Sequence, residues 1–165
     1  MRTVICPGSF DPITNGHLDI IERSSLLFDK VIVAVMFNPS KKNSFYFSPE
    51  ERAELIKRCT SHLQNVEVRV ADGLLAEYAK TCGAVAVVKG LRALSDFEYE
   101  FQQAQLNKKL NGDLETIFIN TRSENLYLSS SVVKQICELG GDISDFVPEA
   151  VRDDIVKRIM RGAEK

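Results

Sequence analysis

The chain has 165 residues, 44% of them apolar and 27% charged, with a formal net charge of −2. That is about one domain's worth of chain with an ordinary globular composition, and a single domain over 1–165 is expected. The balance lacks the basic excess of an electrostatic nucleic-acid binder, while two or three local cations would still suffice for a small anionic ligand.

In chain order, short β-branched runs alternate with helix-length amphipathic stretches. "TVIC" (3–6) is a first strand. The helix after it is expected to start near Gly16, with Leu18, Ile21, Ser25 and Phe28 on its apolar face. "VIVAVMF" (31–37) is a second strand, and the 38–47 stretch "NPSKKNSFYF" is a candidate lid or substrate loop. "SPEERAELIKRC" opens a helix with Ser48 as N-cap, Pro49 at the first helical position and Glu51 closing a capping box. "VEVRV" (66–70) leads into "LLAEYAK", where Leu74, Leu75 and Tyr78 read as core. "AVAVVK" (84–89) leads into "SDFEYEFQQAQLNKKL", and "ETIFIN" (115–120) into a loop and "SSSVVKQICEL", which Gly140-Gly141 ends. A C-terminal helix starts at Pro148. Five strands alternating with helices, each strand apolar enough to be covered on both faces, predict an α/β fold: a Rossmann-like, doubly wound, five-stranded parallel sheet.

The four cysteines, at 6, 59, 82 and 137, include no CxxC, and the two histidines, His17 and His62, lie far apart. Zinc-ligand spacing is absent, so free thiols in a reducing compartment are expected. "TVIC" is too short for a signal-peptide core, and "VIVAVMF" is far short of a membrane span. The expectation is a cytoplasmic protein with neither a nucleic-acid nor a membrane partner.

In such a sheet, ligands bind beyond the C-terminal strand ends. Ser9, Phe10 and His17 follow strand one, and Lys41-Lys42 follow strand two. "KGLR" follows strand four, with Lys89 and Arg92, and Glu100 two turns on. "LSSS" (128–131) opens the helix after strand five. Each cluster has a plainer reading. The serines could be a helix cap, His17 a structural capping residue, Lys41-Lys42 a solvated loop, and "KGLR" a turn with two exposed charges. Hydroxyls, helix N-termini and cations meeting at one edge four times favour a polyphosphate site instead. There is no P-loop, no G-x-G-x-x-G after strand one and no nucleophile elbow. Chemistry without a protein nucleophile fits phosphoryl or nucleotidyl transfer.

The stretch Thr14-Asn15-Gly16-His17 resembles the T/H-x-G-H signature of the nucleotidyltransferase superfamily. "PGSFDPITNGHLDI", "PSKK", "GLRALSDFEYE" and "LSSSVVK" together resemble, in order and spacing, the phosphopantetheine adenylyltransferase family of coenzyme A biosynthesis. The resemblance implies adenylyl transfer from ATP to 4'-phosphopantetheine, giving dephospho-coenzyme A and pyrophosphate, with Mg²⁺ accompanying ATP and no metal-ligating residue assigned. By the same resemblance, His17, Lys41 and Arg92 are catalytic, with His17 stabilising charge on the α-phosphoryl group and Lys41 orienting the attacking phosphate. Ser9, Lys41, Leu75 and Lys89 are implied to bind phosphopantetheine. Ser9, Phe10, His17, Gly90, Leu91, Arg92, Glu100, Asn125, Leu126, Tyr127, Leu128, Ser129, Ser130 and Ser131 are implied to bind ATP. Lys89 stands where that family commonly has Arg, which keeps the charge and loses the bidentate fork. A homohexamer and feedback inhibition by coenzyme A are implied in the same way. Two other readings remain: another adenylyltransferase of the superfamily, such as one for nicotinamide mononucleotide, or a non-catalytic nucleotide sensor. The R-T-x-G-I-S segment typical of cytidylyltransferases is absent.

Overall fold

The computed structural model describes residues 1–36 and 45–163. Lys41 and the 38–44 part of the long connection lie outside the described residues. The elements run β1 (Thr3–Gly8), α1 (Asn15–Leu27), β2 (Lys30–Met36), α2 (Pro49–Thr60), β3 (Val66–Ala71), α3 (Leu75–Cys82), β4 (Ala86–Leu91), α4 (Leu94–Leu110), β5 (Glu115–Asn120), a 3-10 turn (Ser123–Asn125), α5 (Ser130–Glu138) and α6 (Glu149–Ala163). All five strands pair in parallel in the order β3-β2-β1-β4-β5.

Strand alternation divides the core between the two faces of this sheet. Val4, Cys6, Val31, Val33, Val35, Ala86 and Val88 point to one face, under Ile20 and Ile21 of α1, Ala53, Leu55 and Ile56 of α2, Val133 of α5, and Val151, Ile155 and Ile159 of α6. Ile5, Ile32, Ala34 and Val87 point to the other, against Ala76 and Ala79 of α3. The expected doubly wound architecture is therefore present, with burial on both faces confined to β1, β2 and β4. The edge strands β3 and β5 are mostly half-buried, and Val70 is exposed, because each has a neighbour on one side only.

Local chemistry explains most element ends. Ser48 accepts from the Glu51 N–H while Glu51 accepts from the Ser48 N–H, the expected capping box, with Pro49 behind it. Gly83, at φ 62°, ends α3 in the left-handed conformation that favours glycine.

Several expectations need correction. The buried face of α1 is Asp19, Ile20, Ile21 and Ser24, with Leu18 and the C-cap Phe28 partly buried against the same core as expected. Ser24 fits because its hydroxyl bonds back to the Ile20 carbonyl at 2.6 Å. Leu74 is exposed and caps α3, which buries two alanines instead; Leu75 and Tyr78 pack only at the margin of the second cluster. "KGL" does not follow β4 but forms its end: Gly90 pairs with Ile119 and Leu91 with Asn120. A side chain at Gly90 would meet Ile20 of α1 at 2.9 Å, so glycine there permits the close helix–sheet approach. The cysteines are free as expected, three of them buried. Among the described residues no helix is long and apolar enough to cross a membrane.

Candidate active site

Between β1 and β4 the strand order reverses, and a cleft of about 450 Å³ opens there. Its floor is the strand ends, Cys6 to Gly8 and Val88 to Gly90. One wall is the β1–α1 loop and the start of α1, with Phe10, Thr14, Gly16 and His17. The facing wall is Arg92 with Asp96, Tyr99 and Glu100 of α4, and Leu128 to Ser131 complete the rim.

The β1–α1 wall is held by bonds from three directions. Arg52 of α2 donates from Nη1 to the Ser9 carbonyl at 2.6 Å. The buried Asp11 carboxylate accepts from the Tyr46 and Phe47 N–H groups at 3.1 and 3.0 Å, and Lys134 of α5 pairs with it at 3.3 Å. Ser130 donates its hydroxyl to the Pro12 carbonyl at 2.7 Å. Phe10, at φ 51°, occupies the left-handed region, which costs a non-glycine residue about 1–2 kcal/mol. Its ring meets His17 edge-on at 5.1 Å.

His17 is built into the helix terminus as well as into the cleft. Thr14 caps α1: its hydroxyl accepts from the His17 N–H at 3.3 Å, and its own N–H donates to His17 Nδ1 at 3.1 Å. Histidine thus takes the place usually held by Glu or Gln in a capping box. An Nδ1 that accepts carries no proton, so the neutral ring bears its proton on Nε2, the nitrogen left for a ligand in the cleft. Desolvation, and then the charges of Arg92 and Lys89, lower the His17 pKa from 6.5 to about 4. The ring is a neutral N–H donor at pH 7.

The facing wall carries cations already paired with carboxylates. Lys89 Nζ lies 3.2 Å from Glu100, and Arg92 Nε lies 3.1 Å from Asp96 while its Nη1 donates to the Leu128 carbonyl at 2.6 Å. Ser129 accepts from the Val132 N–H as the N-cap of α5, so the capping reading holds for it and the helix end still opens onto the cleft. An anion entering here meets the positive ends of α1 and α5 together with Lys89 and Arg92.

Of the residues singled out in the sequence, the cleft brings together Phe10, His17, Lys89, Gly90, Arg92, Glu100, Leu128, Ser129, Ser130 and Ser131. Ser9, Leu91 and Tyr127 flank lining residues in the chain without lining the cleft themselves, and Asn125 and Leu126 lie just before Tyr127, also outside the lining. Asn125 is buried, and Leu126 and Tyr127 are exposed. Leu75 packs on the second face of the sheet, at the start of α3. Asp96, Tyr99, Asp11 and Arg52 were missed. Asp96 had a signal, standing one helical turn after Arg92 with opposite charge; the other three had none.

Among the described residues no group of three His, Cys, Asp or Glu side chains could hold a metal ion. Asp96 and Glu100 are the cleft's carboxylates and both are engaged by cations. The donor set fits Mg²⁺ carried chiefly by substrate phosphates and water, the ion's usual arrangement with nucleotides.

The cytidylyltransferase-like family matches the chain over residues 5–136. The chain is 54% identical to a phosphopantetheine adenylyltransferase of Caldanaerobacter subterraneus subsp. tengcongensis, across 98% of this chain and 100% of that one. It is also 54% identical to the phosphopantetheine adenylyltransferase of Clostridium beijerinckii, across 96% and 99%. Among solved structures, it resembles a protein assigned as a nicotinate-nucleotide adenylyltransferase from Vibrio parahaemolyticus, with a TM-score of 0.61 at 18% identity and 96% coverage of both chains. A lipopolysaccharide core biosynthesis protein from Thermoplasma volcanium gives a TM-score of 0.55 at 20% identity, covering 74% of this chain and 99% of that one. These two structural likenesses speak to the fold alone.

Proposed function

The chain belongs to the cytidylyltransferase-like family and to the phosphopantetheine adenylyltransferases within it, and from that premise we propose that residues 1–165 form one nucleotidyltransferase domain that transfers the adenylyl group of ATP to 4'-phosphopantetheine. An oxygen of the pantetheine phosphate attacks the α-phosphorus in line. The bond from that phosphorus to the bridging oxygen of the β-phosphate breaks, and pyrophosphate leaves with the electron pair. The products are dephospho-coenzyme A and pyrophosphate.

The observation that carries this reading is the fixed, neutral imidazole of His17 at the sheet's switch point. Its Nε2–H can donate to an α-phosphoryl oxygen as negative charge builds there, with no proton to move and no reorientation required. Arg92, already held on two sides, offers its remaining N–H groups to the β- and γ-phosphates, as do Ser129 to Ser131 at the start of α5. Lys89 and Lys41 hold the attacking phosphate, and Lys89 exchanges Glu100 for it. Ser9 is assigned to the phosphates and Leu75 to the pantetheine arm. Phe10, Gly90, Leu91, Glu100 and Asn125 to Leu128 are assigned to the rest of ATP. Mg²⁺ bound with ATP would be held chiefly by the phosphates themselves and would supply partial neutralisation of their charge.

We extend the proposal to a homohexamer in the cytoplasm, inhibited by coenzyme A in competition with phosphopantetheine. Family membership supports it, as do the exposed Phe97, Phe101, Leu106 and Leu110 of α4, an apolar surface suited to self-association. Light scattering after size exclusion tests the assembly, and a monomer contradicts it. The reaction is tested with a panel of ATP and CTP against several phosphorylated acceptors. Turnover is expected only with ATP and 4'-phosphopantetheine, and turnover with nicotinamide mononucleotide alone contradicts the assignment.

A further inference from the structure

The β1–α1 loop holds a conformation that its own residues disfavour, and the groups holding it lie outside the cleft. Phe10 is the one non-glycine residue at positive φ among the described residues, and a bulky side chain there is strained. Both neighbours are held by buried charge. Arg52, 1% exposed, reaches from α2 to the Ser9 carbonyl, with Nε on the Ser48 carbonyl at 3.3 Å and its guanidinium 4.3 Å above the Phe45 ring. Asp11 takes the Tyr46 and Phe47 N–H groups. Between them the Phe10 ring, buried in the main core, lies over Gly8, where a Cβ would come within 2.9 Å, and meets the His17 ring at 5.1 Å and 73°.

Arg52 is an expensive residue for this place. Its Nη2 has no hydrogen-bond partner among the described residues, and a methionine would fill similar space without a buried charge. What a methionine could not do is hold the Ser9 carbonyl. That carbonyl sits at the peptide leading into Phe10, so fixing it fixes the backbone on which the Phe10 ring is carried.

We propose that Arg52 is a positioning residue for His17. By anchoring the Ser9 carbonyl it keeps Phe10 in the left-handed conformation, and the Phe10 ring in turn keeps the imidazole in the orientation that bonds Thr14 and leaves Nε2 to the cleft. The chain of contact runs from α2 through Ser9 and Phe10 to His17, and Arg52 is not itself among the residues lining the cleft. The inference rests on the reading of His17 as the group facing the α-phosphate. Among the described residues, the charges that act on the ring are Lys89 and Arg92 at the end of β4, and the other titratable groups lining the same cleft are Cys6 of β1 and Asp96, Tyr99 and Glu100 of α4.

The test is the nitrogen NMR spectrum of His17 in full-length Arg52→Met, Arg52→Lys and unmodified protein at pH 7, with kcat and KM for ATP measured alongside. In the unmodified protein one neutral tautomer, protonated at Nε2, is expected. Arg52→Met should show a mixture of tautomers, with kcat lowered roughly 10- to 100-fold and KM for ATP changed by no more than about 3-fold, the signature of a displaced catalytic group. Arg52→Lys keeps a donor for the carbonyl and should restore the single tautomer and most of kcat. Unchanged His17 signals in folded Arg52→Met overturn the proposal, as does a raised KM with kcat intact. Should Arg52→Met not fold, Phe10→Leu carries the decision: it should mix the tautomers, and an unchanged ring overturns the idea. The NMR arm needs no substrate, so failure of adenylyl transfer in the unmodified protein would count against the assigned reaction alone.

Discussion

The two walls of the cleft are built differently. On the β1–α1 side, Ser9, Asp11, Pro12 and Thr14 are tied by hydrogen bonds that mostly involve backbone groups, reinforced by buried Arg52 and Asp11. On the β4–α4 side, Lys89 and Arg92 are held mainly by ion pairs with Glu100 and Asp96, all four side chains part-exposed, and α4 has Ala93 at its N-cap with no side-chain cap bond. Backbone bonds and buried charges do not exchange partners cheaply, whereas half-exposed ion pairs do. On the proposed reading, the firmly held wall carries the group that meets the transition state, and the exchangeable wall carries the groups that capture and release phosphates.

That contrast can be broken or sharpened by substitution. His17→Ala, on the rigid wall, should lower kcat by roughly 10²- to 10³-fold, the usual worth of one donor to a developing anion, with ATP affinity by calorimetry changed little. Arg92→Ala, on the exchangeable wall, should raise KM for ATP roughly 10- to 100-fold, as expected for lost charge-assisted bonds, with a smaller effect on kcat. A reversed pattern, with His17 acting on KM and Arg92 on kcat, would break the comparison. Lys89→Arg restores a forked donor beside Glu100 and should lower KM for 4'-phosphopantetheine by no more than about 5-fold.

A smaller effect concerns the rigid wall's own anchorage. Glu51 accepts from Arg158 and from the Ser48 N–H, and these bonds lower its pKa from 4.5 to about 2. The unfolded chain thus binds the proton first, so this contribution to stability is complete above pH 4.5 and is lost as pH falls toward 2. Urea unfolding at pH 6 and pH 3 should show that loss, reduced in Glu51→Gln. Equal acid sensitivity in the two proteins would remove Glu51 from the anchorage.

Much of this was legible in the sequence, because the signals were local. Ser48, Pro49 and Glu51 marked the start of α2, and the alternation of apolar runs with amphipathic stretches marked the parallel sheet. Once the strand order is known, the cleft follows from the residues after β1 and β4. What escaped was set by distance in the chain. Nothing near Arg52 announces a bond to Ser9, 43 residues away, or near Asp11 a bond to Phe47, 36 residues away. The shape of α3 escaped for another reason: Leu74 fitted a helical apolar face, but the alanines Ala76 and Ala79 let the helix lie close on the sheet and left the leucine outside. His17 was half legible. Its place in the first turn suggested both a capping and a phosphate reading; the structure shows the cap, with Nδ1 accepting from Thr14 in a ring that lines the cleft, and the phosphate reading belongs to the proposed function.

The most direct measurement is pyrophosphate release by the purified protein with ATP, Mg²⁺ and 4'-phosphopantetheine, followed together with the adenylylated product. Dephospho-coenzyme A forming in step with pyrophosphate, and neither forming when phosphopantetheine is omitted, is the expected result. Folded protein that binds ATP yet releases no pyrophosphate with this acceptor would contradict adenylyl transfer as its function.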